Sequence, residues 1–496
     1  MKKILFIIAL SASMLSCRKF LKEYSPSDVT PTLTSEFGEI LFSDGYPDKQ
    51  TIARWIHYLS DDIQCYYGPA NVESLFYLEN TKNLLQWQAD LENEESSFKL
   101  GMDFNTWARY YSMLLGVNVV IDHLDGSTGS QADKEQFKGE AYALRAFYHF
   151  MLVNLYGRPF NDSTTTPDKS LGVPIRTNSN LSDDYLGRNT VAEVYDQVVR
   201  DLDSAIVLLE KQNRPKNVFR ISATAAHLLA SRVYLYMENW DKAIYHADEV
   251  LKHHSALMDY NDWVGVEPTE ENQILGLDNV ESIWCYGHTK EQYPEGFSYI
   301  FDISGDLYQC FEANDLRKTV TIFEVPAFLK LYVVPDYIQR KIFSNATDAA
   351  HTINVSWRSA EAYLNRAEAY IQLYRTKGDV AAAEKALQSL NTLRERRFAF
   401  GTFQPWTVED GDVMLQKCRD ERRRELFGEE SHRWFDLRRY GMPSIKHNYF
   451  RDLATPETYT LQKRDPQYVI PIPREVIDMN PVLEQNPLYP GIRMPD

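Results

Sequence analysis

Apolar residues recur at three- and four-residue steps in the long segments of this chain, and this periodicity limits the fold more than any other feature. One clear example is TVAEVYDQVVRDLDSAIVLLE, residues 190–210. Thr190 and Glu193 have the spacing of a capping box, which begins a helix. The apolar positions that follow are Val191, Val194, Tyr195, Val198, Leu202, Ala205 and Leu209. This stripe predicts a helix that buries one face.

Two segments share the residue rhythm of a tetratricopeptide repeat, a helical hairpin whose small and aromatic side chains let its two helices pack closely. The first segment, 222–252, carries this rhythm at Ser231, Tyr234, Trp240, Ala243 and Ala247. The second, 359–397, carries it at Ala367 and Tyr370 and has a Gly-Asp turn signal at 378–379. We therefore expect a helix, a tight turn and a second helix in both segments.

Helical and irregular stretches alternate along the chain. About four helix pairs are predicted, at 104–157, 190–252, 358–397 and 412–441. Most of the Pro, Gly and Asn residues fall between them, at 60–100, 158–188, 253–357 and 440–496. Loops of this length are usually functional or disordered, and their many aromatic residues argue against disorder. The sequence therefore predicts a mostly α fold, with tetratricopeptide-repeat-like helical hairpins and a large loop-rich, irregular half.

The N-terminus has the layout of an export signal. Lys2 and Lys3 precede an apolar run from Ile4 to Leu10, which is too short to span a membrane, and a small-residue stretch ends directly before Cys17. Cleavage before Cys17 would leave a thiol at the new N-terminus, where it could carry lipid. We expect a lipoprotein signal peptide at 1–16, lipidation of Cys17 and a single domain at 17–496. An ordinary secretion signal with an incidental cysteine is the alternative.

Composition and motifs exclude several function classes. The chain has 53 basic and 70 acidic residues, a net charge of −17, which disfavours nucleic acid as a partner. The remaining cysteines, Cys65, Cys285, Cys310 and Cys418, have neither CxxC pairing nor metal spacing. The sequence has no GxSxG, P-loop, GxGxxG or HExxH motif. We expect no catalytic residue, no metal and no cofactor. A glycosidase is the alternative that acidic pairs such as Asp61–Asp62 suggest, because glycosidases use two carboxylates. Such pairs are common in a chain this acidic.

The densest charged motif is RDERRRELFGEESHRWFDLRR, residues 419–439. Glu421, Glu425 and Glu429 follow at one-turn intervals, with three arginines at 422–424 between them. On a helix these residues can form ladders of ion pairs. An internal salt-bridge network is the favoured interpretation, and an anion site is the alternative.

Eight segments, in order along nearly the whole chain, resemble the SusD/RagB family of outer-membrane nutrient-binding lipoproteins. They begin with Cys17 followed by Phe20 and Leu21. The others are NTWARYYSMLLGVNVVIDHL, GEAYALRAFYHFMLVNLYGRPF, LGVPIRT, RNTVAEVYDQVVRDLDSAI, SAEAYLNRAEAYIQL, RRRELFGEESHRWFDLRRYG and YVIPIPREVIDMNPVLEQNP. Two departures are Leu488 after QNP, where the family usually has glycine, and the basic residues Arg18 and Lys19 after the cysteine.

The resemblance implies a non-enzymatic, lipid-anchored protein of the outer membrane that is displayed at the cell surface. Its repeat half would dock on a SusC-like TonB-dependent transporter, and its loop-rich half would capture an oligosaccharide and close it over the transporter as a lid. An exported repeat scaffold that binds protein or peptide is the alternative.

By family position, the ligand site should come from the regions about 60–100 and 253–357. The candidate stacking residues are Tyr66, Tyr67, Trp87, Tyr293 and Phe297, and the candidate hydroxyl-binding residues are Asp62 and Asn71. For each of them, ordinary packing beneath a loop is the alternative.

Overall fold

The computed structural model describes residues 31–47, 54–66, 72–91, 105–180, 185–212, 217–267, 269, 273–287, 301–330, 335–341, 355–451 and 455–496. The described chain is mostly helical, as predicted. Its α-helices are α1 (Thr34–Ile40), α2 (Val72–Leu85), α3 (Thr106–His123), α4 (Gln131–Tyr156), α5 (Val191–Gln212), α6 (Ala223–Tyr236), α7 (Trp240–His253), α8 (Gly305–Gln309), α9 (Arg317–Val320), α10 (Ser359–Lys377), α11 (Val380–Glu395), α12 (Gly411–Leu426), α13 (His432–Arg439) and α14 (Arg474–Met479).

Strands in the described chain are short and form two-stranded antiparallel sheets. They are β1 (Ile63–Cys65), β2 (Ser282–Tyr286), β3 (Phe301–Ile303), β4 (Ile322–Glu324), β5 (Tyr337–Gln339), β6 (Val355–Arg358), β7 (Ile445–Phe450) and β8 (Pro456–Leu461). The pairs are β1 with β3, β2 with β6, β4 with β5, and β7 with β8. All four of these pairs lie in or join the regions predicted to be irregular.

The predicted capping box begins α5. The Thr190 N–H donates to Glu193 Oε2 over 2.8 Å, and the Glu193 N–H donates to Thr190 Oγ1 over 3.2 Å. The apolar stripe of α5 is buried and packs against α4. Gly139 permits this close approach, because a Cβ at that position would lie 2.9 Å from Leu209 Cγ. Residue spacing alone thus accounts for the beginning of α5 and for its buried face.

Tight turns join the helices of the two segments that carry the repeat rhythm. Glu238 has a φ of 57°, and the Asn239 side chain caps α7 by accepting from the Lys242 N–H. Gly378 has a φ of 68°, a conformation that glycine adopts without steric cost, and Asp379 caps α11. α10 packs against α7, although about a hundred residues separate the two helices in sequence. The two hairpins are therefore neighbours in space.

The sheet of β2 and β6 attaches the irregular part to the helices. Trp284 on β2 and Trp357 on β6 meet edge to face, with ring centroids 4.6 Å apart. Both rings also pack edge to face on Phe147 of α4, at 5.7 Å and 5.3 Å. Trp284 is completely buried, so it belongs to the core.

The charged motif at 419–439 forms a buried salt-bridge network, as predicted. Glu425 on α12 accepts from Arg317, Arg358 and Arg397, with closest N–O distances of 2.9–3.0 Å. Burial by itself raises the pKa of the Glu425 carboxyl, but Arg397 and Arg358 outweigh this effect and hold its pKa well below the ordinary value. These arginines lie on α9, on β6 and just after α11, so one carboxylate ties distant segments together.

Candidate ligand-binding site

The two regions predicted to bind ligand meet at the sheet of β1 and β3. Ile63 pairs with Ile303, and Cys65 pairs with Phe301. The Ser304 N–H donates to the Asp62 carbonyl over 2.8 Å, which continues the contact beyond the sheet. Backbone pairing therefore brings the region 60–100 against the region 253–357.

The buried carboxyl of Asp302 connects the β1–β3 sheet to the β4–β5 sheet. Oδ1 of Asp302 on β3 accepts from the Ile303 N–H over 2.8 Å and from the Gln339 N–H of β5 over 3.1 Å. Burial raises the pKa of Asp302 to about 7, although both hydrogen bonds oppose the shift. Because β5 pairs with β4, the strands β1, β3, β5 and β4 are linked in that order.

Two tyrosines that the sequence analysis did not single out lie at this junction. The rings of Tyr308 and Tyr337 are stacked, with centroids 3.9 Å apart and an interplanar angle of 17°. The Tyr308 hydroxyl donates to Glu324 over 2.6 Å, and the Lys318 ammonium lies 4.3 Å from the centre of the Tyr308 ring. Tyr337 is half-buried, so part of its surface remains accessible. The pair offers an aromatic surface beside charged hydrogen-bonding groups.

Four predicted site residues, Tyr67, Asn71, Tyr293 and Phe297, lie outside the described residues and remain predictions. Tyr67 and Asn71 lie in the gap that begins after Tyr66, and Tyr293 and Phe297 lie in the gap that ends before Phe301. Phe301 is paired with Cys65, directly before Tyr66. The described ends of these two segments are therefore neighbours in the fold.

Trp87 does not fit the predicted stacking role. Its side chain is completely buried, and its indole N–H donates to the Leu59 carbonyl over 3.0 Å. The ring stacks on His447 of β7, with centroids 4.0 Å apart. Contacts from segments distant in sequence cover both the ring and its polar group. Trp87 is a packing residue, and the prediction of a ligand contact was wrong for it.

Asp62 and Tyr66 are also buried, and each forms a hydrogen bond to another part of the chain. Asp62 is 1 % exposed, and its Oδ1 accepts from Arg423 Nε over 2.6 Å. Tyr66 is 5 % exposed, and its hydroxyl donates to the Ile303 carbonyl. Asp62 is tied to the charged motif, and Tyr66 fastens β1 to β3. The structure therefore contradicts direct ligand contacts for both residues and gives them a role in positioning the site.

The described residues contain neither a metal-binding cluster nor a membrane-spanning helix. Within these ranges, no cluster of three or more His, Cys, Asp or Glu side chains has an arrangement that could hold a metal ion. Among the described helices, none has the length and apolarity needed to cross a bilayer.

Two family sequence models match separate parts of the chain. The model described as "Starch-binding associating with outer membrane" matches residues 60–235. The model described as "SusD family", SusD_RagB, matches residues 332–489. The first range includes α2 to α6, and the second includes α10 to α14.

Two curated relatives are named as SusD-like proteins. SusD-like protein P25 of Formosa agariphila is 25 % identical over 447 residues, covering 76 % of this chain and 77 % of that protein. SusD-like protein P2 of the same organism is 25 % identical over 451 residues, covering 80 % and 83 %.

The fold is shared with crystal structures of two SusD superfamily proteins. One is from Bacteroides thetaiotaomicron, with a TM-score of 0.68, 22 % identity and coverage of 92 % of this chain and 100 % of that one. The other is from Bacteroides vulgatus, with a TM-score of 0.68, 22 % identity and coverage of 93 % and 100 %. Together with the two sequence models, these similarities show that the chain belongs to the SusD/RagB family.

Proposed function

We propose that this protein is a lipid-anchored glycan-binding protein of the outer membrane that captures an oligosaccharide by binding and does not cleave it. Cys17 would carry the lipid. The protein would deliver its ligand to a SusC-like TonB-dependent transporter and act as the transporter's lid. The observation that carries the proposal is the pairing of β1 with β3, because it unites the two predicted ligand-binding regions. The family description, starch-binding and associated with the outer membrane, supports the same function.

The chemistry of the junction supports sugar binding. A sugar ring has an apolar C–H face that can lie on an aromatic ring, while its hydroxyls require hydrogen-bond partners. Tyr337 and Tyr308 supply stacked rings, and Glu324 and Lys318 supply an acceptor and a donor close to them. The predicted residues Tyr67 and Tyr293 would add rings to this surface.

Weak binding is sufficient for such a role. A dissociation constant between 1 μM and 1 mM corresponds to about −8 to −4 kcal/mol. A lipid anchor and a bound transporter would hold the captured ligand close to the barrel, and this raises its effective concentration there. We therefore expect modest affinity for a free oligosaccharide.

Affinity electrophoresis of the protein without its signal peptide tests the binding function. Gels would contain soluble starch, laminarin, xylan or alginate, and a parallel assay would measure binding to casein peptides. Retardation by at least one polysaccharide, without release of reducing ends, is the expected result. Binding to the peptides alone would replace this proposal with a peptide-binding scaffold, and release of reducing ends would indicate an enzyme.

Two further experiments test the anchor and the partner. Cys17→Ser should abolish incorporation of labelled palmitate and release the protein from the outer-membrane fraction. The wild-type protein, solubilised from that fraction, should co-purify with a TonB-dependent transporter. Recovery of the protein without any such barrel would contradict the role as a lid.

A further inference from the structure

A cleft lies beside α2, and neither Tyr308 nor Tyr337 lines it. It is bounded by one face of α2, by the β7–β8 hairpin and by the C-terminal tail at 491–495, and its volume is about 970 Å³. We call it the tail cleft. Its lining includes Leu75, Glu79, Lys82, Gln86, Arg451 and Met494. This volume lies within the usual range of small-ligand sites.

The wall formed by the tail is held in place by specific hydrogen bonds. Gln88 Nε2 donates to the Arg493 carbonyl over 2.9 Å, and the Arg493 N–H donates to Gln88 Oε1 over 2.8 Å. The Asp496 N–H donates to the Thr458 carbonyl of β8 over 2.8 Å. The tail therefore forms a fixed side of the cleft.

Gln86 gives the cleft a polar group that lacks a partner. It is 8 % exposed, and its Oε1 accepts from Gln88 Nε2 over 3.0 Å. Its amide nitrogen has no hydrogen-bond partner among the residues that the structure describes, but it is not one of the buried atoms left without a partner, so water can reach it. An acceptor on a ligand would take the place of that water. Lys82, one turn earlier on α2, likewise forms no ion pair with any described residue.

The rest of the lining combines apolar surface with balanced charge. Leu75 is 40 % exposed, Ile492 is 78 % exposed and Met494 is 71 % exposed. Around them, the cations Lys82 and Arg451 face the anions Glu79 and Glu457. Such a lining suits a neutral ligand that has both hydrogen-bonding groups and apolar faces.

From this lining we infer that the tail cleft is an additional binding site for a stretch of neutral oligosaccharide. The inference rests on the proposed function, because the glycan bound at the strand junction would be the one that continues into the tail cleft. Tyr66, which directly follows β1, and Val72 are six positions apart, so the start of α2 lies within about 20 Å of Tyr66. One long glycan could therefore contact both places, whereas a short one would occupy the strand junction alone.

Two variants test the inference. Gln86→Leu removes the amide while keeping a similar volume, and Lys82→Met removes the ammonium; Lys211→Met, an exposed lysine at the end of α5, is the matched control. The probe is a size ladder prepared from the polysaccharide that retards the wild-type protein. We expect affinity for the longest fragments to fall about three- to tenfold in each cleft variant and to stay unchanged in the control. The shortest fragments should bind all four proteins equally.

Hydrogen exchange gives a readout that does not depend on the variants. The longest fragment should slow exchange in α2 and in residues 489–496 of the wild-type protein, and the shortest fragment should not. Unchanged exchange there, or cleft variants that bind long fragments as tightly as the wild type, would overturn the inference and leave the proposed function intact. A wild-type protein that binds no polysaccharide would overturn both.

Discussion

Arg423 on α12 donates from Nε to Oδ1 of Asp62 over 2.6 Å, and this ion pair joins the charged motif to the segment that leads into β1. Arg433 adds a second link, because its Nε donates to Asp61 over 2.7 Å. Asp61 and Asp62 thus attach the candidate site to α12 and α13. From the sequence, these two acids were candidates for a ligand-binding or catalytic role. In the structure both are instead paired with arginines.

Breaking this attachment should destabilise the protein. Removing one partner of a buried ion pair costs about 3–5 kcal/mol, and Asp62 is almost fully buried. We therefore expect Asp62→Asn to lower the thermal unfolding midpoint by several degrees while glycan affinity, measured well below that midpoint, changes little. Lost affinity with an unchanged midpoint would instead support direct ligand binding by Asp62.

Trp87→Ala should act on stability in the same way. It would remove a fully buried indole, its hydrogen bond to Leu59 and its stack on His447. Substitutions of this kind cost about 3–5 kcal/mol, and Trp87→Phe should cost less because it keeps an aromatic ring. Urea unfolding followed by circular dichroism measures both. A Trp87→Ala protein as stable as the wild type would contradict the packing role.

Glu425→Gln tests the salt-bridge network. The substitution keeps the shape of the side chain but leaves Arg317, Arg358 and Arg397 facing a neutral amide. We expect a loss of about 3–5 kcal/mol in the free energy of unfolding. The exposed Glu384 on α11 offers a matched control, Glu384→Gln, which should lie within about 0.5 kcal/mol of the wild type.

His149 should make stability depend on pH below neutrality. It is completely buried, and burial lowers its pKa from 6.5 to about 4. Its Nε2 accepts from the Arg176 N–H over 3.2 Å, and its Nδ1 lies 3.1 Å from the Arg145 carbonyl, to which it can donate, so the neutral ring fits this position.

Because the folded pKa of His149 is depressed, its stabilising contribution is present above pH 6.5 and is lost as pH falls towards 4. The stability advantage of the wild type over His149→Gln should shrink by about 1.4 kcal/mol per pH unit in this window. Urea titrations at several pH values between 7 and 4 measure that difference. A constant difference would show that His149 does not titrate in this way.

Regular local signals in the sequence predicted the helical part of the fold. The Thr190–Glu193 capping box, the Gly378–Asp379 turn and the arginine–glutamate spacing of the charged motif all act over a few residues, so they can be recognised without a structure. The packing of α10 against α7 and the three-residue strands β1 and β3 depend on contacts between distant segments. No local pattern encodes such contacts.

The candidate site was predicted less well for the same reason. Aromatic residues in loops indicate either ligand binding or packing, and only distant neighbours decide between them. Leu59 and His447 decide it for Trp87, and Ile303 decides it for Tyr66. The stacked pair of Tyr308 and Tyr337 carried no distinguishing sequence signal, because its two rings come from separate segments.

The central claim is that aromatic rings capture a glycan where the two loop regions meet. Isothermal titration calorimetry tests this claim most directly. The oligosaccharide retained in the gels would be titrated into the wild type, the double variant Tyr67→Ala with Tyr293→Ala, and the control Tyr245→Ala, whose ring is 56 % exposed on α7. We predict at least a tenfold loss of affinity, about 1.4 kcal/mol, in the double variant and none in the control. Equal affinity in all three proteins would contradict the claim.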